Sequence, residues 1–379
     1  MVVAHRRYCR AFPALGVRGA ALVAARTNRL IDARSMASMR LRHAVLIGTA
    51  LLAWAGFAAA AEPDSSAAGV LRSEARALEP LAHSSLAKQF LAATAHVPAV
   101  ARRVVWTDSS RTHAWTEAEA RALADSTRAR LIRRELDDGF YWNTRYGSPL
   151  AYLRALEILS GAGLKSMDRV RLADFGCGTL GHLRLLASLG ADATGIDVDP
   201  LLRALYSEPG DQGAVEPSSR SAGRGGHLRL VTGQWPAQDS IRDVVGGGYD
   251  LILSKNTLKN GYLHPAQPVN PRMLVHLGVS DSTFVSELYR ALKPGGLVLV
   301  YSLCPAPAAP GQPYIPWADG RCPFPPEMWR AAGFTVLRFD EEDSPRARAM
   351  GHALGWDRDS GMDLEHGLFA TWSLFEKPH

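Results

Sequence analysis

From residue 169 to the C-terminus, short apolar runs alternate with segments of helical periodicity. This alternation constrains the fold most strongly, because strands separated by helices form a mostly parallel sheet with helices on both faces. The runs that predict strands span residues 170–175, 193–196, 228–231, 249–254, 297–303, 334–339 and 370–375. The segments that predict helices span residues 182–189, 200–206, 281–292 and 326–332. The sequence therefore predicts an α/β fold with a seven-stranded sheet.

The first predicted strand runs into a glycine-rich turn, Asp174-Phe-Gly-Cys-Gly-Thr-Leu-Gly181, and a predicted helix follows. Glycines let the backbone turn tightly and approach a ligand, and the N-terminus of a helix offers free N–H groups. The same spacing serves dinucleotides and also occurs by chance. Gly176 and Gly178 are therefore candidate ligand contacts, with a purely structural role as turn glycines as the alternative.

A second candidate, Asp197, closes the second predicted strand in the segment Thr194-Gly-Ile-Asp-Val-Asp-Pro200. A carboxylate at this place can accept hydrogen bonds from both ribose hydroxyls of an adenosine. That chemistry fits a nicotinamide dinucleotide and S-adenosylmethionine equally, and a plain turn residue is the remaining alternative.

Four motifs in this order resemble those of class I S-adenosylmethionine-dependent methyltransferases, over residues 140–379. The family opens with acid-x-Gly-x-Gly, which Asp174 to Gly178 match. Residues 249–253 resemble its fourth strand, residues 291–300 with Lys-Pro-Gly-Gly resemble the block at its fifth strand, and two strands follow as its final antiparallel pair. The resemblance implies a Rossmann-like, mostly parallel seven-stranded sheet and S-adenosylmethionine as cofactor.

The resemblance also assigns roles to cofactor-binding residues. Gly176 and Gly178 would lie against the methionine part, Asp197 would hold the ribose, and Asp174 would act through the loop near the methionyl ammonium. Gln234 stands where the family often has Asp beside the adenine amine, and its side-chain carbonyl can accept the same hydrogen bond. Trp235 is either an adenine neighbour or simple core packing.

The acceptor side is predicted in residues 254–264, because ligands bind beyond the carboxyl ends of parallel strands. His264 is the candidate general base and Tyr262 the second candidate catalytic residue, with Lys255 and Asn256 as donors. An ordinary loop histidine is the alternative for His264. The segment lacks the Asn/Asp-Pro-Pro-aromatic motif of amino-group DNA methyltransferases.

The aromatic segment 140–147 is either a lid over the cofactor or a helix-packing seam.

The N-terminus predicts export. Residues 44–61 are wholly apolar, follow Arg40 and Arg42, and end in Ala-Ala-Ala before Glu62. This order is typical of a signal peptide, and an uncleaved run of this length would anchor the chain in a membrane. We therefore divide the chain into a doubtful leader (1–35), a signal peptide or anchor (36–61), a helical cap (62–168) and the methyltransferase domain (169–379). The predicted location is periplasmic or secreted, with a cytoplasmic body as the alternative.

The helical cap is predicted from helical spacing over residues 67–95 and 116–136, with a capping box at Thr116 and Glu119. A further helix is predicted over residues 149–159. Residues 207–226 are rich in Gly, Ser and Pro and predict a flexible surface loop.

Charge and cysteine usage narrow the classes of partner. The net charge of +6 is misleading, because nine of the 43 basic residues and only one acid lie in residues 1–61. The remainder is nearly neutral, so nothing favours nucleic acid as a partner. Cys304 and Cys322 either form a disulfide in an oxidising compartment or stay unpaired, and no spacing predicts a metal site.

The leading hypothesis is methyl transfer to a small-molecule or exported acceptor. Two alternatives remain: a binding protein that keeps this fold without transfer activity, and a nicotinamide-dependent oxidoreductase. Asp174 and the Lys-Pro-Gly-Gly block make the oxidoreductase hypothesis the weaker of the two alternatives. The sequence predicts neither the acceptor nor the oligomeric state.

Overall fold

A computed structural model of the chain describes residues 64–144, 147–218 and 223–379. These residues belong to one compact unit. The predicted leader, the apolar run 44–61 and the pair Arg145 and Tyr146 lie outside the described residues, so export stays a prediction. Within the described ranges, no helix combines the length and apolarity needed to cross a membrane.

Residues 64–168 contain helices and a small antiparallel sheet that pack against the remainder of the chain. The helical predictions over 67–95 and 149–159 are confirmed, although Pro80 interrupts the first segment. The elements in chain order are α1 (Ala67–Leu78), α2 (Ser85–Ala92), β1 (Arg103–Thr107), β2 (Ala114–Thr116), α3 (Glu117–Arg121), α4 (Asp125–Arg128), β3 (Ile132–Leu136), α5 (Asp138–Trp142) and α6 (Leu153–Gly161).

The predicted helix over residues 116–136 is wrong beyond its first turns. The capping box is present, since the Thr116 side chain accepts from the Glu119 backbone and the Glu119 side chain accepts from the Thr116 backbone. However, the chain leaves the helix after Arg121, and residues 132–136 form β3. β1 is the central strand of the small sheet and pairs antiparallel with both β2 and β3. Pairing with a distant strand outweighed the local helical propensity of this Arg- and Ala-rich segment.

Residues 169–379 form the large sheet and its helices, and all seven predicted strands and four predicted helices are confirmed. Helices α9, α10 and α13 to α15 and the short strand β6 were not predicted. The elements are β4 (Arg171–Phe175), α7 (Gly181–Ser188), β5 (Asp192–Asp197), α8 (Pro200–Leu205), β6 (Gly213–Ala214), β7 (His227–Thr232), α9 (Asp239–Val245), β8 (Tyr249–Lys255), α10 (Asn260–Leu263), α11 (Asp281–Ala291), β9 (Leu292–Cys304), α12 (Pro326–Ala331), β10 (Thr335–Glu342), α13 (Ser344–Ala353), α14 (Trp356–Asp359), α15 (Leu364–Gly367) and β11 (Phe369–Glu376).

The large sheet has the strand order β10-β11-β9-β8-β4-β5-β7-β6. Strands β9, β8, β4, β5 and β7 pair in parallel, β11 is antiparallel to both β9 and β10, and β6 adds a short antiparallel edge. Side chains of the central strands enter two buried apolar clusters, so that Leu251 and Leu253 of β8 belong to one and Ile252 to the other. Burial on both faces explains why these strands read as continuous apolar runs.

The segment 207–226, predicted to be a flexible loop, is anchored in its described part. Asp211 is buried, and its carboxylate accepts hydrogen bonds from Arg103 at 2.9 Å and from the Tyr141 hydroxyl at 3.1 Å. Arg184 also donates to the backbone carbonyl of Asp211. Sequence composition identified a loop correctly, but its buried Asp211 binds β1 and α5 through the carboxylate and α7 through the backbone carbonyl.

Cys304 and Cys322 are unpaired thiols, which settles the choice that the sequence left open. Both are buried in separate surroundings: the Cys304 sulfur lies against Gly320, whereas Cys322 belongs to the aromatic cluster around Phe324 and Trp329.

A buried ion pair holds α6 to the connection between β10 and α13. The Arg154 guanidinium donates two hydrogen bonds to the Asp343 carboxylate, at 3.0 and 2.8 Å, and the Tyr301 hydroxyl donates a third at 3.1 Å. Arg154 and Asp343 are both buried, so removing Arg154 would leave the Asp343 carboxylate with the uncharged Tyr301 hydroxyl as its buried partner.

We expect Arg154→Ala to lower the free energy of unfolding by about 3–5 kcal/mol, because the buried Asp343 carboxylate loses its only buried cationic partner among the described residues. Urea unfolding followed by circular dichroism would measure this. The control is Arg346→Ala, since that side chain is exposed and lies 3.8 Å from the same carboxylate. Its expected effect is below about 0.5 kcal/mol. Equal losses in the two variants would contradict the assignment.

Candidate functional site

The glycine-rich turn between β4 and α7 has the geometry that the sequence predicted. Gly176 and Gly178 adopt positive φ angles of 72° and 61°, which residues with a side chain rarely adopt. A Cβ at Gly178 would meet no atom within 4 Å, whereas a Cβ at Gly176 would lie 2.2 Å from the Thr257 hydroxyl oxygen. The turn is thus closed by Thr257 at Gly176 and open to solvent at Gly178.

The carboxylate of Asp197 lies directly beside this turn. One oxygen accepts a hydrogen bond from the Gly178 backbone N–H at 2.9 Å, and the other accepts from the Asp199 N–H at 2.9 Å. Each oxygen keeps a further lone pair for another donor. Burial raises the pKa of Asp197 to about 6, against the opposing effect of the two backbone donors.

Asp174 at the end of β4 is completely buried and fixed by two side chains that the sequence did not single out. One of its oxygens, Oδ2, accepts from the Tyr152 hydroxyl at 2.7 Å and lies 2.6 Å from His182 Nε2. The other oxygen, Oδ1, is buried and has no hydrogen-bond partner among the described residues. A buried carboxylate oxygen without a donor indicates a place for a ligand or water that supplies one.

Tyr152 connects Asp174 to a buried lysine. Its ring stacks on the His182 imidazole, with centroids 3.8 Å apart and planes 8° from parallel. The Lys255 ammonium lies 5.1 Å from the centroid of the same ring. Burial lowers the pKa of Lys255 to about 8, with the Lys259 ammonium lowering it further and Asp174 opposing.

The aromatic segment ahead of the sheet packs against the turn, which favours the packing-seam interpretation for its described residues. Tyr141 and Trp142 are buried, and a Cβ at Gly181 would lie 2.0 Å from the Trp142 carbonyl oxygen. The Thr179 hydroxyl donates to the Asn143 carbonyl at 2.6 Å. The segment therefore packs against the C-terminal part of the glycine-rich turn, at Thr179 and Gly181.

Gln234 and Trp235 follow β7 at the same edge of the sheet. The Gln234 amide nitrogen donates to the His276 carbonyl at 2.9 Å, which leaves the side-chain carbonyl oxygen as the acceptor. Trp235 is buried between Phe175 and Phe284, with centroids 6.0 and 5.6 Å away, and its indole N–H has no partner among the described residues. Trp235 is thus a core residue in this structure, and its contact with adenine stays a prediction.

The two candidate catalytic residues, His264 and Tyr262, do not line the same groove. His264 Nε2 lies 2.9 Å from the Asp281 carboxylate, in an open groove of about 580 Å³. The groove is lined by aliphatic and polar residues, Leu263, His264, Val275, His276, Leu277, Gly278, Val279, Ser280 and Asp281. Tyr262 is only 1% exposed and its ring lies under the Lys259 ammonium, outside that lining. The catalytic roles of both residues stay predictions.

The groove and the glycine-rich turn lie at the same edge of the sheet. Gln234 follows the carboxyl end of β7 and contacts His276 in the groove, and His264 follows the carboxyl end of β8. Asn256, also beyond β8, has a positive φ of 65° and accepts from the Leu303 N–H at 2.7 Å. In the described part of the chain, no group of three or more His, Cys, Asp or Glu could hold a metal ion.

Sequence reasoning missed Tyr152 and His182, although a signal existed for His182. It stands immediately after Gly181, in the first turn of the helix that follows the glycine-rich turn, so its side chain can reach back to the preceding strand. Nothing local to Tyr152 indicates its partner, since Asp174 lies 22 residues away.

Comparison with known proteins gives distant structural similarity. No protein-family model and no curated protein sequence matches this chain. Among solved structures, it is similar to phosphoethanolamine N-methyltransferase 2 of Haemonchus contortus with phosphomonomethylethanolamine and S-adenosylhomocysteine, at 17% identity over 66% of this chain and 63% of that chain, with a TM-score of 0.37. The [4+2]-cyclase SpnF has 18% identity over 83% and 96% and a TM-score of 0.35. A S-adenosylmethionine-dependent methyltransferase from Mesorhizobium loti has 17% identity over 60% and 97% and a TM-score of 0.35.

The strand order of the large sheet identifies its fold. Numbered along the chain, the seven predicted strands lie in the order 3-2-1-4-5-7-6. The first five have the arrangement of doubly wound folds, with the glycine-rich turn after strand 1. Strands 6 and 7 form the final antiparallel pair that the sequence predicted. The chain therefore has the Rossmann-like, mostly parallel fold that was expected from the resemblance of its sequence to class I methyltransferases.

Proposed function

We propose that this chain binds S-adenosylmethionine and transfers its methyl group to a small-molecule or exported acceptor. The observation that carries the proposal is the pairing of the Asp197 carboxylate with the Gly178 N–H, beside a turn that is open at Gly178. A carboxylate and an open glycine turn at the carboxyl edge of a parallel sheet form a receptor for an adenosine-containing ligand.

The residues at this edge fit the three parts of the cofactor. The free lone pairs of Asp197 suit the two ribose hydroxyls, and the side-chain carbonyl of Gln234 suits the adenine amine. The buried Asp174 Oδ1, which lacks a donor, suits the methionyl ammonium or a water bound to it. Each of these groups presents an acceptor where the cofactor presents a donor.

S-adenosylmethionine supplies a methyl group that is already electrophilic, so the protein contributes alignment of the acceptor and exclusion of water. The acceptor's oxygen or nitrogen forms the new bond to carbon, the carbon–sulfur bond breaks, and its electron pair leaves with the sulfur. The acceptor also loses a proton. Our candidate for that task is His264, and its support is the Asp281 carboxylate 2.9 Å from Nε2, which can orient the ring and stabilise an imidazolium.

Isothermal titration calorimetry of the purified protein with S-adenosylmethionine and with NAD tests the cofactor. We expect binding of the first and none of the second. Release of S-adenosylhomocysteine over a panel of phenols, amines, carboxylates and thiols then tests transfer. Binding without transfer to any acceptor would favour the non-transferring binding protein, and binding of NAD alone would overturn the proposal.

We expect the affinity for S-adenosylhomocysteine to fall as the pH drops below about 6, by up to about tenfold for each pH unit. The pKa of Asp197 is raised, so its carboxylate takes up a proton as the pH falls through about 6. A neutral carboxyl then accepts hydroxyl hydrogen bonds less strongly. Calorimetry from pH 5 to 8 measures the effect. Asp197→Asn should bind weakly with little pH dependence in this range; a wild-type slope retained in this variant would assign the titration to another group.

Gly178→Ala and Gly176→Ala are expected to separate binding from folding. At Gly178 the new methyl group enters open space, so we expect weaker S-adenosylhomocysteine binding and a stability loss of only about 1–2 kcal/mol from the positive φ. At Gly176 the methyl group collides with Thr257, so the stability loss should be larger. Calorimetry and urea unfolding measure both. Unaltered affinity in folded Gly178→Ala would show that the opening is not the cofactor site.

Once an acceptor is found, we expect His264→Gln to lower kcat by about 10²–10⁴-fold while leaving S-adenosylhomocysteine affinity unchanged. The matched control is His276→Gln, because His276 lines the same groove and its ring nitrogen lies 3.1 Å from a backbone carbonyl rather than a carboxylate. Steady-state kinetics measures both variants. Similar kcat values in the two variants would reject His264 as the base.

A further inference from the structure

Two buried opposite charges lie on the same face of the large sheet, at its carboxyl edge. In the pairing of β4 with β8, Asp174 stands opposite Leu253. Lys255 is two residues further along β8, so its side chain emerges on the same face as Leu253 and Asp174. Asp174 is completely buried and Lys255 is 7% exposed.

Tyr152 contacts both of these charges. Its hydroxyl donates to Asp174 Oδ2 at 2.7 Å, while the Lys255 ammonium lies against its ring, 5.1 Å from the centroid. The His182 ring stacks on Tyr152 and fixes its orientation. Tyr152 therefore contacts both charges, the carboxylate through its hydroxyl and the ammonium through its ring.

Both charges keep unused binding capacity. Asp174 Oδ1 has no donor among the described residues although it is buried. In the same part of the chain, no carboxylate lies within ion-pair distance of the Lys255 ammonium, whose recorded partner is the uncharged Tyr152 ring. Buried charges without full compensation destabilise a fold unless a ligand supplies the missing partner. The missing partners here are a hydrogen-bond donor and an anion.

We propose that Lys255 and Asp174, which both contact Tyr152, form a receptor for a zwitterionic α-amino acid group, with Lys255 as the partner of its carboxylate. This inference rests on the proposed function, in which that group is the methionine end of the cofactor. Lys255 thereby selects ligands that carry an intact amino acid group over nucleosides that lack it. Asp174 contributes its free oxygen to the ammonium, and Tyr152 and His182 act as positioning residues.

The test compares two ligands that share the adenosine part. S-adenosylhomocysteine carries the α-amino acid group, and methylthioadenosine lacks it. We expect Lys255→Met to bind S-adenosylhomocysteine at least tenfold more weakly than the wild type and to bind methylthioadenosine within twofold of the wild type. Lys255→Arg, which keeps the charge, should recover part of the lost affinity. Isothermal titration calorimetry of the full chain provides both affinities.

The matched control is Lys293→Met, on the neighbouring strand. Lys293 lies at the start of β9, at the opposite edge of the sheet, where it pairs with Asp250. The same substitution there should change neither affinity by more than twofold. A loss of S-adenosylhomocysteine affinity in this control would attribute the effect to general charge removal and overturn the proposal.

The remaining outcomes separate this inference from the proposed function. If wild-type protein binds neither ligand, the proposed function itself fails. If the wild type binds S-adenosylhomocysteine and Lys255→Met binds it equally well, only the Lys255 receptor is rejected. If Lys255→Met loses both ligands to the same degree, Lys255 supports the fold of the site rather than the amino acid group, and the inference is again rejected. Should Lys255→Met fail to fold, Lys255→Gln provides the same comparison.

Discussion

The hydrogen bonds to Asp174 Oδ2 are the interaction on which the site depends. They join the first strand of the large sheet to Tyr152, ahead of α6, and to His182, in the first turn of α7. The glycine-rich turn begins at Asp174, and His182 directly follows its last residue, Gly181, so the same carboxylate fixes both ends of the turn. Asp197 then fixes the middle of the turn through Gly178. Two acidic residues thus hold a turn whose glycines contribute no side-chain packing.

The fold of residues 169–379 was predictable because burial on both faces gives each parallel strand its own local signal. Ala173, Leu251 and Val298, for example, are buried apolar residues of three such strands, and their apolar character is visible in the sequence itself. The three-stranded sheet of the cap was not predictable in the same way. β3 is mostly exposed and Arg-rich, and only its pairing with β1 makes it a strand. The pairing joins segments about 30 residues apart, and the sequence of neither segment indicates its partner.

The cofactor side of the site was also largely predictable. Gly178 and Asp197 lie at the carboxyl ends of neighbouring parallel strands, and they are hydrogen-bonded in the structure. The partners of Asp174 were not, because a hydroxyl donor and an imidazole can come from any element that packs on the strand. Lys255 was identified only as a donor on the acceptor side. Its position against Tyr152 follows from the packing of α6 and its preceding turn, which no local pattern specifies.

Tyr152 and Arg154 lie on one short stretch of chain ahead of the sheet, and each satisfies a buried acid within it, Asp174 and Asp343 respectively. The parts of the chain before and after residue 168 therefore depend on each other through buried contacts, and neither can be replaced independently. In a chimaera that joins residues 169–379 of this protein to the cap of another, Asp174 would lose the Tyr152 hydroxyl and Asp343 would lose the Arg154 guanidinium. Natural variation in the cap and in the sheet is consequently expected to occur in compensated pairs rather than in either part alone.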